Sequence, residues 1–166
     1  MFRDKLVVRI STEDDEPEIA AIHRLAFGRD GESELALDLI RSQIETISIV
    51  AQCDERVIGH ILLTEIAASV RAVILAPLAV DSKYRELQIG STLVRTALEI
   101  AKNAGFEAVF VLGDPLYYER FGFSSQKADP FIVEWQGPHF MAVELRENAL
   151  AGKGGKLQVP QAFTRV

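Results

Sequence analysis

One cysteine, Cys53, stands in 166 residues, which rules out an intramolecular disulfide and a thiolate metal cluster. Such usage fits a reducing cytoplasm. Long apolar runs are also missing: Ala72 to Val80 is about half of the ~18–20 residues that a bilayer-spanning helix needs. The opening Met1-Phe-Arg-Asp-Lys5 lacks the pattern of a signal peptide. These readings predict a protein that is neither secreted nor embedded in a membrane. Basic side chains are in the minority, 18 Lys and Arg against 24 Asp and Glu, for a net charge of −6 and a pI near 5.1. Nucleic-acid binders usually carry a basic stripe that neutralises phosphates, so DNA and RNA are not expected partners. His23 and His139 are too scattered for metal-ligand spacing, and no metal site is expected. Lys153-Gly-Gly-Lys156, the one locally basic stretch, reads as a flexible, solvated tail.

What remains is the composition of an ordinary globular chain, 48% apolar and 25% charged, at a length that suits one compact domain. We assign residues 1–150 to that domain and 151–166 to a C-terminal extension. Leu6 to Ile10 is a short β-branched run and predicts a strand. Carboxylates from Glu13 to Glu16 sit where a helix N-terminus favours them, ahead of Ile19, Ile22 and Ala26 at helical spacing, so a helix is expected from about Asp14 to Phe27. A second helix is expected from Glu32 to Ser42. From Ile47 the period changes to strands at 47–52, 57–66 and 72–80, joined first by the turn Cys53-Asp-Glu-Arg56 as an antiparallel meander. Strict alternation puts Val57, Gly59, Ile61, Leu63 and Glu65 on one face and Ile58, His60, Leu62 and Thr64 on the other. A long amphipathic helix follows from Gln88 to Asn103, then a strand at 108–112, a short helix at 115–120 and a late strand at 140–145. Strands and helices mixed in this order predict an α+β, or mixed α/β, sheet flanked by helices.

Two features point to chemistry. The buried strand ending at Val80 runs through a short turn into a helix whose first turn holds Gly90, Ser91 and Thr92. Such an N-terminus offers unpaired N–H groups and a partial positive charge to a phosphate, although an ordinary strand-to-helix connection looks the same. Pro77 cannot donate to a sheet ladder, so the strand is expected to part from a neighbour just before Leu78-Ala-Val80. A parted strand frees backbone groups for an amide-containing ligand; an edge strand is the plainer alternative.

These residues resemble a known family. Tyr84-Arg-Glu-Leu-Gln-Ile-Gly-Ser91 is similar to the acyl-CoA signature of the Gcn5-related N-acetyltransferases (GNAT), written Gln/Arg-x-x-Gly-x-Gly/Ala. Val111-Leu-Gly-Asp-Pro-Leu-Tyr-Tyr-Glu-Arg-Phe-Gly-Phe123 resembles its second signature, in which a tyrosine four residues before Gly-Phe packs by the thioester. With Ala76-Pro-Leu-Ala-Val80, Phe140-Met and Ala162-Phe163, the wording resembles the YhbS-like branch of predicted acetyltransferases, over nearly the whole chain. The resemblance implies a centrally parted sheet and direct acetyl transfer from acetyl-CoA to an amine in a ternary complex. It assigns the donor to Leu78, Ala79, Val80, Arg85, Glu86, Leu87, Gln88, Ile89, Gly90 and Ser91.

The pattern departs from the family in the turn. Gln88 stands where the first glycine belongs, so its Cβ is expected to crowd the pyrophosphate. Glu86 and Leu87 replace residues that in many relatives include a cation, which puts a carboxylate at the anion site. Within the resemblance Tyr118 takes the place of the acid that protonates the departing thiolate, with Tyr117 as its rival; both could equally be packing aromatics. An N–H from Leu78 to Val80 would hold the acyl oxygen. The base is not legible: the strand before the signature has no carboxylate, and Glu65 and His60 on the preceding strand are the candidates. Acceptor walls come from the first two helices and the late strands, whose Arg24, Arg29, Glu32, Glu34 and Trp135 fit small amines, peptides or protein N-termini alike. Phe131, Trp135 and Phe140 offer a surface on which two copies could pair. The rival reading is a CoA-binding module that has lost turnover and acts as a sensor or interaction partner.

Overall fold

The structure, a computed structural model, describes residues 5–165, and the side chains of all of these but Arg85, Glu86 and Arg165. Six strands form the main sheet in the order β1 (Leu6–Ile10), β2 (Thr46–Cys53), β3 (Arg56–Ile66), β4 (Ala72–Val80), β5 (Ala108–Leu112) and β7 (Phe140–Glu144). Every neighbouring pair is antiparallel except β4–β5, where the long α3 (Ile89–Asn103) makes the crossover that a parallel connection requires. The mixed α+β expectation is met.

The α3 stripe Ile89, Leu93, Val94, Ala97 and Ala101 is fully buried against one face of the sheet, over Ile49, Ile61, Leu63, Val73 and Val109. Residues of opposite parity cover the other face. There Ile19 of α1 (Glu16–Phe27) and Leu35 and Leu39 of α2 (Gly31–Ile40) pack on Val50 and Leu62. Pro17 sits in the first turn of α1, where its missing N–H is no loss, and Gly28 ends the helix in the left-handed conformation at φ 69°. Alternation fails near the start of β3. The register of β2 against β3 shifts between Ala51 and Gln52, so Ile58 joins Ile61 and Leu63 under α3 while Val57 joins Leu62 under α1 and α2. The bulge exchanges the faces expected of these two residues.

Three further corrections come from the late segments. Phe131 and Phe140 do not form a pairing surface: both are buried, and Phe110 packs between them at centroid distances of 4.9 and 5.6 Å. A short α5 (Ser125–Ala128) and a two-stranded sheet of β6 (Phe131–Ile132) with β8 (Gly155–Lys156) escape the sequence reading. The stretch Lys153–Lys156 is therefore not a free tail, and beyond it Leu157 is buried and Gln158 bridges to Ala67. The chain then returns to place Phe163 against the cluster beneath α2.

Candidate active site

The site begins where β4 and β5 separate. Their parallel pairing covers Ala72 to Leu75 against Ala108 to Val111 and then stops, while β4 continues to Val80 paired with β3 alone. At the point of parting, the β3–β4 register jumps so that Ala76 and Pro77 face Leu62 alone. Backbone direction beyond the bulge follows from one bond. Asp81 donates its N–H to Ile58 O at 2.8 Å, so Ala79, two residues earlier, also turns its backbone toward β3. The N–H groups of Leu78 and Val80 consequently point to the edge that β5 has left.

The turn after β4 is 3-10 from Ser82 to Leu87 and ends on Gln88, which caps α3 in the left-handed region at φ 58°, ψ 34°. A glycine takes that conformation without strain. The first helical bond of α3 is Thr92 N–H to Gln88 O at 3.1 Å, leaving the amides of Ile89, Gly90 and Ser91 ahead of it. A cleft of about 690 Å³ brings Leu78, Ala79, Val80, Gln88, Gly90 and Ser91 together with Phe27, Tyr117 and Arg120. Of the other residues singled out in the turn, Ile89 is fully buried beneath α3 and can offer the cleft only backbone, and Leu87 is partly exposed outside it. The side chains of Arg85 and Glu86 lie outside the described residues. A Cβ on Gly90 would stand 2.6 Å from the Tyr117 hydroxyl, so only glycine lets that hydroxyl lie over the first turn.

A cation reaches the α3 N-terminus from outside the turn. Arg120 donates from Nη2 to Ser91 Oγ at 3.1 Å and from Nε to Tyr117 O at 3.1 Å, with its guanidinium 4.6 Å from the Tyr117 ring centre. Sequence reasoning passed over it, because only the fold carries the segment after α4 (Pro115–Tyr118) to the α3 N-terminus. Its one signal was its place two residues beyond Tyr118. The short α4 is itself fixed by Asp114, whose side chain accepts the Leu116 N–H at 3.0 Å.

The two tyrosines face different spaces. Tyr117 lines the first cleft, whereas Tyr118 lines a second one of about 390 Å³ on the other side of the split, with Phe27 and Leu78 common to both. Tyr118 can sit there because residue 113 is glycine: a Cβ at Gly113 would be 2.5 Å from its ring. Burial raises the pKa of both phenols, with the Tyr117 charge adding to the rise at Tyr118 and Arg120 opposing it at Tyr117. Both remain protonated donors at neutral pH.

Neither base candidate lines either cleft. His60 is fully buried, with Nδ1 2.7 Å from His23 Nε2 and Nε2 2.8 Å from Ser48 Oγ. Glu65 lies at the far end of β3 beside Arg71 at 3.8 Å. The carboxylate that does line the second cleft is Glu32 of α2, 7% exposed and gripped by Arg29 through Nε–Oε1 at 2.9 Å and Nη2–Oε2 at 2.5 Å. The Arg29 bond holds its pKa below the ordinary carboxylate value against the opposing effect of burial. Among the described residues no cluster of His, Cys, Asp or Glu could hold a metal ion, and no helix is long and apolar enough to cross a membrane.

The model of the acetyltransferase (GNAT) family matches residues 17–123. YhbS of Escherichia coli (strain K12), an uncharacterized N-acetyltransferase, is 33% identical over 166 residues that cover 96% of this chain and 99% of its own. YjhQ of the same organism, also an uncharacterized N-acetyltransferase, is 33% identical over 127 residues, 72% of this chain and 70% of that one. The crystal structure of Escherichia coli YhbS in complex with CoA matches with a TM-score of 0.91 at 33% identity, over 97% of this chain and 93% of that one. A GNAT family acetyltransferase from Brucella melitensis, solved with acetyl-CoA, shares the fold at a TM-score of 0.78 and 24% identity, over 95% and 97% of the two chains.

Proposed function

The chain belongs to the acetyltransferase (GNAT) family, and from that premise we propose that it transfers an acetyl group from acetyl-CoA directly to an amine within a ternary complex. The observation that carries this reading is the split between β4 and β5, with an unpaired β4 edge, an uncapped α3 N-terminus and a half-buried phenol converging on it. Solved relatives that hold CoA or acetyl-CoA support the donor.

In this reading the amides of Ile89, Gly90 and Ser91, reinforced by Arg120, hold the donor's pyrophosphate, and the pantetheine amides pair with the free edge at Leu78 and Val80. The acetyl thioester reaches the junction at Leu78 and Phe27, where the two clefts meet. The amine arrives from the Tyr118 side. An ammonium first gives a proton to water, since neither His60 nor Glu65 lines the clefts, and the free nitrogen forms a bond to the thioester carbon. The resulting oxyanion accepts an N–H from β4. Collapse breaks the carbon–sulfur bond as the nitrogen, cationic after its attack, gives its second proton to water, and the departing thiolate takes a proton from the Tyr118 hydroxyl, which solvent restores. The products are the N-acetylated amine and free CoA. With its single cysteine buried, the protein suits a reducing cytoplasm. Residues 155–163 complete the wall of the second cleft through Phe163 and act as part of the enzyme domain.

Calorimetric titration with acetyl-CoA tests the donor site. Wild type binds with one-to-one stoichiometry, and Arg120→Ala weakens binding by roughly tenfold or more, the effect of one charge-assisted hydrogen bond to phosphate. The salt dependence of the variant is shallower. Equal affinity of the two proteins at low salt would remove the pyrophosphate from Arg120.

A further inference from the structure

The second cleft is chemically one-sided. Its side chains include the rings of Phe27, Tyr118, Trp135 and Phe163 and the branched chain of Leu35, and among the described residues Glu32 is its one charged lining residue. We propose that this cleft selects a hydrophobic monoamine as acceptor, a primary amine on an aryl or branched alkyl body with a single positive charge, anchored by Glu32. The proposal rests on the reading above, in which the acetyl group is delivered at the strand split.

Four observations carry it. Glu32 is 7% exposed, yet its two bonds to Arg29 leave further lone pairs on both oxygens for an ammonium. With its acidity strengthened by Arg29, this carboxylate is a poor proton acceptor and a good counter-ion, which suits binding an ammonium. The rest of the wall rewards burial of apolar surface and, among the described residues, has no second carboxylate. A polyamine or an aminosugar would have to leave additional ammonium groups desolvated against aromatic rings without a partner. At about 390 Å³ the cleft falls in the size range of small-ligand sites. The aromatic walls add attraction for a cation passing toward the acetyl group.

The chain contains a single tryptophan, and Trp135 lies in this cleft, so binding can be read without turnover. Acetyl-CoA is first titrated by calorimetry; failure to bind would overturn the underlying donor reading rather than the acceptor class. Tryptophan fluorescence is then followed with phenethylamine, isoamylamine, spermidine and kanamycin, and free CoA is measured with the same amines. The proposal expects saturable fluorescence changes and acetylation with the first two, at least tenfold higher kcat/KM than with spermidine or kanamycin. Glu32→Gln should weaken phenethylamine tenfold or more, in its dissociation constant and its Michaelis constant alike, with kcat changed less than threefold. If Glu32→Gln does not fold, Phe163→Ala serves: it should weaken phenethylamine several-fold more than isoamylamine. Preference for spermidine, kanamycin or a lysine-containing peptide would overturn the proposal. So would an unchanged fluorescence with all four amines in a protein that binds acetyl-CoA, or a second cleft that responds instead to lengthening the acyl chain of the donor.

Discussion

At the scale of single residues, the assignment of Tyr118 depends on a contact that its own side chain does not make. Gly113 allows the ring to lie where any Cβ would collide with it at 2.5 Å, and Tyr117 at the same turn is directed to the other cleft. Tyr118→Phe removes the hydroxyl and keeps the ring packed on Phe121 and Phe123. Turnover should fall by about 10²–10⁴-fold with the KM for acetyl-CoA nearly unchanged, because an interaction formed only in the transition state appears in kcat. Tyr117→Phe is the matched control and should leave kcat within a few-fold. Steady-state kinetics of the two variants decide the matter: an effect confined to Tyr117→Phe would move the role to its neighbour. The tyrosine pair was legible from sequence, but its division between two spaces was not, since adjacent residues in a short helix differ only by the rotation that the fold imposes.

At the scale of elements, α3 shows why its cap matters more than its stripe. The amphipathic stripe fixes the helix against the sheet, but the donor would meet its first turn, and that turn starts from a strained Gln88. A non-glycine residue in the left-handed region costs about 1–2 kcal/mol, and glycine gives back part of that through its freedom in the unfolded chain. Gln88→Gly should therefore stabilise the protein by about 0.5–1 kcal/mol, a rise in Tm of roughly 1–4 °C for a chain of this size, and open the cleft wall for tighter acetyl-CoA binding. Differential scanning calorimetry would expose a lowered Tm, contrary to this account. The elements themselves were largely written in the local pattern: β4 parts from β5 after Leu75, two residues before Pro77, and α3 runs almost as its periodicity predicts. What local pattern could not show was any consequence of long-range packing. The Ile58 bulge depends on the partner register in β2, the burial of Phe131 and Phe140 depends on Phe110, and Arg120 reaches Ser91 only through the sheet's topology. The β6–β8 pair joins strands of two residues each, too short to leave a period in the sequence.

At the scale of the whole molecule, the first helix and the turn that leads into it are tied to the sheet by polar groups that respond to pH. Burial pushes the pKa of His23 down to about 4 and that of His60 well below its ordinary value. In the unfolded chain both titrate near 6.5, so between about pH 6.5 and 4 the unfolded state binds more protons and folding stability falls as pH falls. Each histidine held neutral contributes a slope of up to about 1.4 kcal/mol per pH unit. Asp15 acts lower: the Arg9 guanidinium holds its pKa at about 2, so its contribution is lost only as pH falls from near 4 toward 2. Urea unfolding should give constant stability above pH 7 and a decline from 6.5 to 4; a flat profile across that window would contradict the buried, neutral pair. The same sheet places the two clefts on either side of one split, so in the proposed reaction donor and acceptor would meet there in stoichiometric exchange. The most direct measurement pairs the appearance of free CoA thiol with mass-spectrometric quantification of N-acetylated product, using isotope-labelled acetyl-CoA and a panel of amines. The account predicts one labelled amide for each CoA released, at a rate that Tyr118→Phe lowers by at least about a hundredfold; binding of acetyl-CoA with no labelled amide from any amine, or thiol release without amide, would contradict it.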